Sequence, residues 1–306
     1  MPGASLSWSV HVGLSIPTAI SDLPPDLPKR MWSPITATLI AGERDAVLVD
    51  ALMTTDQASG LADWVAASGK TLTTVFVTHG HGDHWFGLGT LLERFPHAQA
   101  FATPATVDQM QKQMTPEFVA SYWNTRFPGQ IPDRLVAAEP LGGDRLELEG
   151  NDLVVVELGH TDTDDTTCLH VPSIGLVVAG DAIYNDVHLY LAESPAEGRR
   201  AWLDALDTID ALNPQTVVAG HKRPDRPDAP QTIAETRQYI RDFETVAERT
   251  TTTLDLYRGM LELHPSRGQP GRALGIGQVC QRLTSNRPRG RPTTPGTAEM
   301  FINRGK

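Results

Sequence analysis

A chain of 306 residues accommodates one large domain or two small ones, and a hydrophobic fraction of 40% supplies a sizeable core. The 26 basic and 37 acidic side chains give a formal net charge of −11, which disfavours a general nucleic-acid binder, because phosphate contacts need a basic patch. Cys168 and Cys280 lie far apart without CxxC spacing, which argues against a disulfide framework and fits a reducing, cytoplasmic setting.

No basic segment followed by an apolar core opens the chain, and no run approaches 18 apolar residues. Neither a signal peptide nor a membrane span is expected. Leu6 to Ile16 alternates loosely and predicts an edge strand, in which His11 reads as a surface or core histidine. Ser21 to Pro34 holds four prolines and reads as a loop placed to border a pocket. Ile35–Ile40 and Ala46–Val49 predict a hairpin around Gly42-Glu43-Arg44-Asp45. Asp50 ends that hairpin, either to orient a metal ligand from behind or to cap the next helix. Thr54 to Ser68 has helical spacing and stops at Gly69.

The buried strand Thr73–Val77 then runs into Thr78-His79-Gly80-His81-Gly82-Asp83-His84-Trp85. Three histidines and an aspartate stand within six positions at a strand's C-terminal end, where α/β proteins keep their chemistry. Imidazole and carboxylate together suit zinc, and also iron or manganese. A helix over His84–Phe95, a strand over Ala98–Ala102 and a helix from Thr103-Pro104 to about Met114 follow. Thr115 to Pro140 reads as irregular, with Tyr122, Trp123 and Phe127 among prolines, and is assigned as a flap over the site.

The second half repeats one device. Leu153–Leu158, Leu176–Ala179 and Thr216–Ala219 are valine-rich runs that end in Gly159-His160, Gly180-Asp181 and Gly220-His221. Each delivers a metal-capable side chain at a strand end. Ser194-Pro195 starts a helix to about Leu212, and a longer one from Ala229 to Leu263 breaks near Thr250–Thr253. The domain is thus placed at 1–264, with 115–140 as the flap. Residues 265–306 form a Gly/Pro/Arg-rich tail, expected to be disordered.

The ordered set of His79-Gly80-His81-Gly82-Asp83-His84, Gly159-His160-Thr161, Gly180-Asp181 and Gly220-His221 resembles the metallo-β-lactamase-fold hydrolase superfamily over residues 35–222. The resemblance implies an α/β fold, a four-layer αββα sandwich with its metals at one edge of the two sheets. It implies that His79, His81 and His160 hold a first ion, that Asp83, His84 and His221 hold a second, and that Asp181 bridges them. The implied cofactors are two divalent ions, zinc first and iron, manganese or cobalt as alternatives, which share an attacking hydroxide. The substrate is a small molecule, an ester or lactone first. A thioester of the glyoxalase II kind, a β-lactam and a dehalogenation substrate remain open, as does a non-catalytic metal-binding module. Tyr184 stands three residues after Asp181, as in the lactonases of this fold, and with Asp83 completes the catalytic candidates. His188 and Tyr190 are weaker pocket candidates. Asp162, Asp164 and Asp165 depart from the family's usual sequence after His160, and read as solvated turn residues, supports behind the ligands or a deterrent to anions. A homodimer is compatible with all of this.

Overall fold

The computed structural model describes residues 3–20 and 27–268. Among these residues the strands form an eight-stranded sheet, a five-stranded sheet and one small pair. In the first sheet Ile35–Ala41 is central. It pairs antiparallel with Ser7–Gly13 and with Asp45–Val49, and Thr71–Phe76 and Gln99–Ala102 continue in parallel. The second sheet runs Thr216–Val218, Leu176–Val178, Thr166–Val171, Asn151–Gly159, Arg145–Leu148. The pair joins Ile16–Pro17 to Met31–Trp32 and brings Trp32 back over the site.

The period-2 alternation of side chains explains why four layers form. In Asp45–Val49, Ala46 and Leu48 face one core while Val47 and Val49 face another. The first core lies under Leu61 and Val65 of the helix Thr55–Ala67 and Leu91 of the helix Leu88–Arg94. The second lies between the sheets, where Ile40, Val49 and Phe76 meet Leu153, Leu169, Val178 and Val218. On the far face Cys168, Val177 and Val217 meet Trp202, Leu206, Ile240 and Phe243 from the helices Ala196–Ala211 and Gln231–Arg249. Three cores between four layers make the αββα sandwich.

Several local features follow the sequence. Thr54 caps its helix in a reciprocal box with Gln57, so Asp50 is not the cap. The long C-terminal helix breaks between Arg249 and Thr253. Of the segment 115–140 expected to be irregular, the first part is instead three short helical pieces, Pro116–Phe118, Val119–Trp123 and Asn124–Arg126, while 127–138 has neither helix nor strand. Pro116 sits at a helix start, where proline is tolerated. Packing continues past residue 264: Arg267 donates to the Val187 carbonyl and Gly268 bridges to Val187. The rest of the expected tail, with Cys280, lies outside the described residues. No helix among the described residues is long and apolar enough to cross a membrane.

Candidate metal centre

The centre forms where the loops leaving both sheets meet. Chain turns after Phe76, Gly159, Val178 and Val218 converge at one edge of the sandwich. Two of the glycines are required there. Gly180 has φ of 53°, and a Cβ would stand 2.6 Å from Thr78 Oγ1. A Cβ on Gly220 would run into Asp181 Oδ1. These strand ends pack too closely for any larger residue.

Two buried groups of donors result. His79, His81, Asp162 and Asp181 form one, and Asp83, His84 and His221 the other; in each, donor atoms lie within 4.8 Å of one another. The groups touch through Asp181. Its Oδ1 is 3.1 Å from His84 Nε2 and its Oδ2 is 3.2 Å from His221 Nε2. Asp83 Oδ2 is 3.5 Å from His221 Nε2.

The surroundings aim the rings. Asp50 Oδ2 lies 2.9 Å from His84 Nδ1, and the same carboxylate accepts from the Thr78 amide and hydroxyl. Thr78 Oγ1 is 3.0 Å from His79 Nδ1. The Pro34 carbonyl is 2.9 Å from His221 Nδ1, and Glu193 Oε1 is 3.3 Å from His81 Nε2. Each imidazole therefore has one nitrogen engaged from behind and turns the other inward, the arrangement that fixes a tautomer for metal binding. Trp32 Nε1 donates to Asp83 Oδ2 at 2.8 Å, and Tyr184 Oη donates to Asp181 Oδ2 at 2.6 Å.

The interior is a good host for cations. His79 Nε2, Asp162 Oδ2 and Asp181 Oδ1 are buried without an aligned hydrogen-bond partner. His84 Nε2 and His221 Nε2 face each other at 3.4 Å. Burial opposes a charged His84 ring, but the Asp181, Asp50 and Asp83 carboxylates outweigh it and hold its pKa well above the ordinary value. His79 is held well below the ordinary value by burial and by His84. Burial raises the carboxyl of Asp162. Opposed shifts of this kind cluster at functional sites, and the donor set fits two divalent ions.

Of the residues singled out in the sequence, six come together: His79, His81, Asp83, His84, Asp181 and His221. His160 does not join them. Its Nδ1 is 2.6 Å from Asp164 Oδ1 and its Nε2 is 3.3 Å from Ser194 Oγ. Asp162, two residues on, stands inside the first group with Oδ2 2.8 Å from His81 Nδ1. Asp165 accepts from Gln109. Tyr184 is fully buried, stacked on His221. His188 is buried against Tyr239. Tyr190 does reach the cleft.

That cleft opens over both groups and encloses about 340 Å³ of non-protein space including its mouth. Trp32, Phe118, Tyr122, Trp123 and Tyr190 wall it; His81, Asp83 and Asp181 lie at its floor, with Gln113 and Glu193 beside them. Glu193 is partly exposed beside the cleft; it accepts from Tyr190 Oη and Thr163 Oγ1 and lies against His81, and the His81 ring outweighs the partial desolvation of its carboxyl and draws it down to about 2. Glu193 and Gln113 carry no local sequence signal, since neither follows a strand-glycine turn.

A family model described as the metallo-beta-lactamase superfamily matches residues 30–221. The crystal structure of a metallo-beta-lactamase family protein from Thermus thermophilus is similar with a TM-score of 0.62 at 22% identity, covering 92% of this chain and 96% of that one. A metallo-beta-lactamase from Pontibacter korlensis is similar with a TM-score of 0.54 at 14% identity, over 76% of this chain and 100% of that one. At these identities the likeness speaks for the fold. A Bacillus subtilis (strain 168) protein described as "Uncharacterized protein YobT" is 36% identical over 66 residues, which is 22% of this chain and only 28% of that protein's length.

Proposed function

The chain belongs to the metallo-beta-lactamase superfamily, and from that premise we propose that it is a dinuclear metal-dependent hydrolase of a small uncharged ester or lactone. The observation that carries the reading is two buried donor groups at the floor of an aromatic-walled cleft. His79, His81 and a donor from the 160–162 turn would hold one ion. Asp83, His84 and His221 would hold the other, and Asp181 would be shared. Two such ions, zinc first and iron, manganese or cobalt on the same donors, would supply Lewis acidity and would acidify water, to a pKa of about 7 in the case of zinc.

The chain's own groups do the rest. Asp50, Thr78, the Pro34 carbonyl and Glu193 fix the histidine tautomers from behind. Trp32 donates to Asp83 Oδ2 and, with His84 and His221 beside it, holds that carboxylate ionised at the cleft floor in spite of its burial, ready to serve as a ligand. Tyr184 is a positioning residue, because its hydroxyl reaches Asp181 and its ring is fully buried. The rings of Trp32, Phe118, Tyr122, Trp123 and Tyr190 receive the apolar part of the substrate and exclude water. Among the described lining residues none is Lys or Arg, while Asp83, Asp181 and Glu193 are acidic. Away from the ions, the remote carboxylates of a glutathione thioester or a cephalosporin would find no basic side chain on these walls and would meet Glu193, so a neutral ester or lactone is favoured.

The test is hydrolysis by metal-loaded protein of an acyl-homoserine lactone, an aryl ester, S-lactoylglutathione and a cephalosporin, each with a chelator control. Chelator-sensitive turnover of the lactone or the aryl ester is expected. Turnover confined to the two anionic compounds would overturn the substrate class. No turnover by a protein that binds no metal would favour a non-catalytic module.

A further inference from the structure

We propose that the Asp162 carboxylate, and not the His160 imidazole, completes the first metal site with His79 and His81. The proposal rests on the reading of the two groups as a metal centre and changes the composition of that centre.

Three observations carry it. First, both ring nitrogens of His160 are occupied, by Asp164 Oδ1 at 2.6 Å and Ser194 Oγ at 3.3 Å. Second, the seat of that ring is built into the fold. A Cβ on Gly198 would come 2.5 Å from His160 Nε2, so the first turn of the helix Ala196–Ala211 has a glycine where the ring lies. Ser194, which meets the ring, also donates to the Thr161 carbonyl at 2.6 Å and so fixes the turn itself. Third, Asp162 is fully buried and, among the described residues, its Oδ2 has no aligned hydrogen bond, while its Oδ1 accepts from Thr161 Oγ1 at 3.0 Å. Its Oδ2 stands 2.8 Å from His81 Nδ1 and 4.0 Å from His79 Nε2. Donors each about 2.1 Å from one tetrahedral ion stand about 3.4 Å apart, and the two distances bracket that spacing.

The chemistry follows from the exchange. Three histidines become two histidines and a carboxylate, and Asp181 adds a second carboxylate edge. With Asp83, the centre holds three carboxylates against two divalent ions. An extra anionic oxygen donor moves the first site toward oxygen-preferring ions, manganese or iron, relative to an all-imidazole site.

The experiment measures metal content per chain by inductively coupled plasma mass spectrometry after dialysis against equal zinc, manganese and iron(II) under anaerobic conditions. It compares the unaltered protein with His160→Ala and Asp162→Ala. His160→Ala is expected to retain two ions per chain, and Asp162→Ala about one. Loss of one ion by His160→Ala with both kept by Asp162→Ala would overturn the assignment. Should Asp162→Ala not fold, the cobalt(II)-loaded His160→Ala protein decides. An unchanged visible ligand-field spectrum supports Asp162, and loss of a nitrogen-ligand band overturns it. Two ions bound without hydrolysis would remove the proposed activity and leave the ligand assignment standing. No metal bound by the unaltered protein would overturn both.

Discussion

Tyr184 shows how a residue's place in the sequence and its contacts can separate two roles. Its position three after Asp181 suggested a group acting on substrate, yet its hydroxyl ends on Asp181 Oδ2 at 2.6 Å and its ring is sealed between His221 and Trp202. Tyr184→Phe keeps the ring and removes the hydroxyl. The expected result is an affinity for metal about 10–100-fold weaker, read by competition with a chromophoric chelator, with KM unchanged. Unaltered affinity would reduce the hydroxyl to packing. His188 makes a different prediction. Burial, with Arg267 and His264 nearby, lowers its pKa to about 3, and among the described residues its Nε2 has no hydrogen-bond partner while Nδ1 meets Tyr239 Oη at 2.8 Å. A histidine depressed in the folded state lends stability that is complete above its unfolded pKa of about 6.5 and is lost as pH falls toward 3. His188→Gln should therefore flatten the decline in thermal stability between about pH 6.5 and 4. A decline identical to that of the unaltered protein would exclude His188 as its source. The dense run from His79 to His84 was legible in sequence because the donors are adjacent. Asp162 was visible only as one of several carboxylates in a turn. Which of them faces inward depends on the irregular pairing between Glu157 and Gly159 and on Ser194 and Gly198, far along the chain.

At the scale of elements, long strands and helices with clear periodicity were legible, and pieces defined by distant partners were not. Tyr184–Asn185 and His221–Lys222 are two-residue strands that exist only because they pair with each other and with Ile35. Thr166–Val171 was hidden behind the acidic turn before it. The stretch after Thr115 looked irregular because of its prolines, but its aromatic residues organise it. Trp123 is 2% exposed and packs at 5.1 Å on Phe86 and 5.7 Å on Trp32, so it anchors the part of the cleft wall that Phe118 and Tyr122 share with it. Two substitutions separate these duties. Trp123→Ala should cost about 3–5 kcal/mol of stability, as for large buried aromatics, measured by denaturant unfolding. Tyr122→Ala should leave stability within about 1 kcal/mol while raising KM several-fold for substrates with an apolar chain. A KM unchanged from that of the unaltered protein would mean that Tyr122 does not touch the substrate.

At the scale of the whole molecule, the two sheets meet in one charged centre, and this makes the fold depend on what fills it. The first sheet contributes His79, His81, Asp83 and His84 after Thr71–Phe76, together with His221. The second contributes Asp162 and Asp181 from the ends of Asn151–Gly159 and Leu176–Val178. Asp83, Asp162 and Asp181 are buried together, and two imidazole nitrogens face each other at 3.4 Å. Such groups cost free energy unless neutralised. Ions that bind the folded chain and not the unfolded one stabilise it by mass action, by about 2.7 kcal/mol for each site at a free concentration about 100 times Kd. In a domain of this size about 1 kcal/mol moves Tm by about 2 °C, so two sites should raise Tm by roughly 10 °C. Treatment with a chelator should remove that increment, and adding metal back should restore it in proportion to the logarithm of concentration once the sites are near saturation. A Tm independent of metal over that range would mean that contacts such as Asp50 with Thr78 and His84 hold the loops alone. The sheets would then be joined by their shared apolar core, with no stabilisation from the centre at their edge.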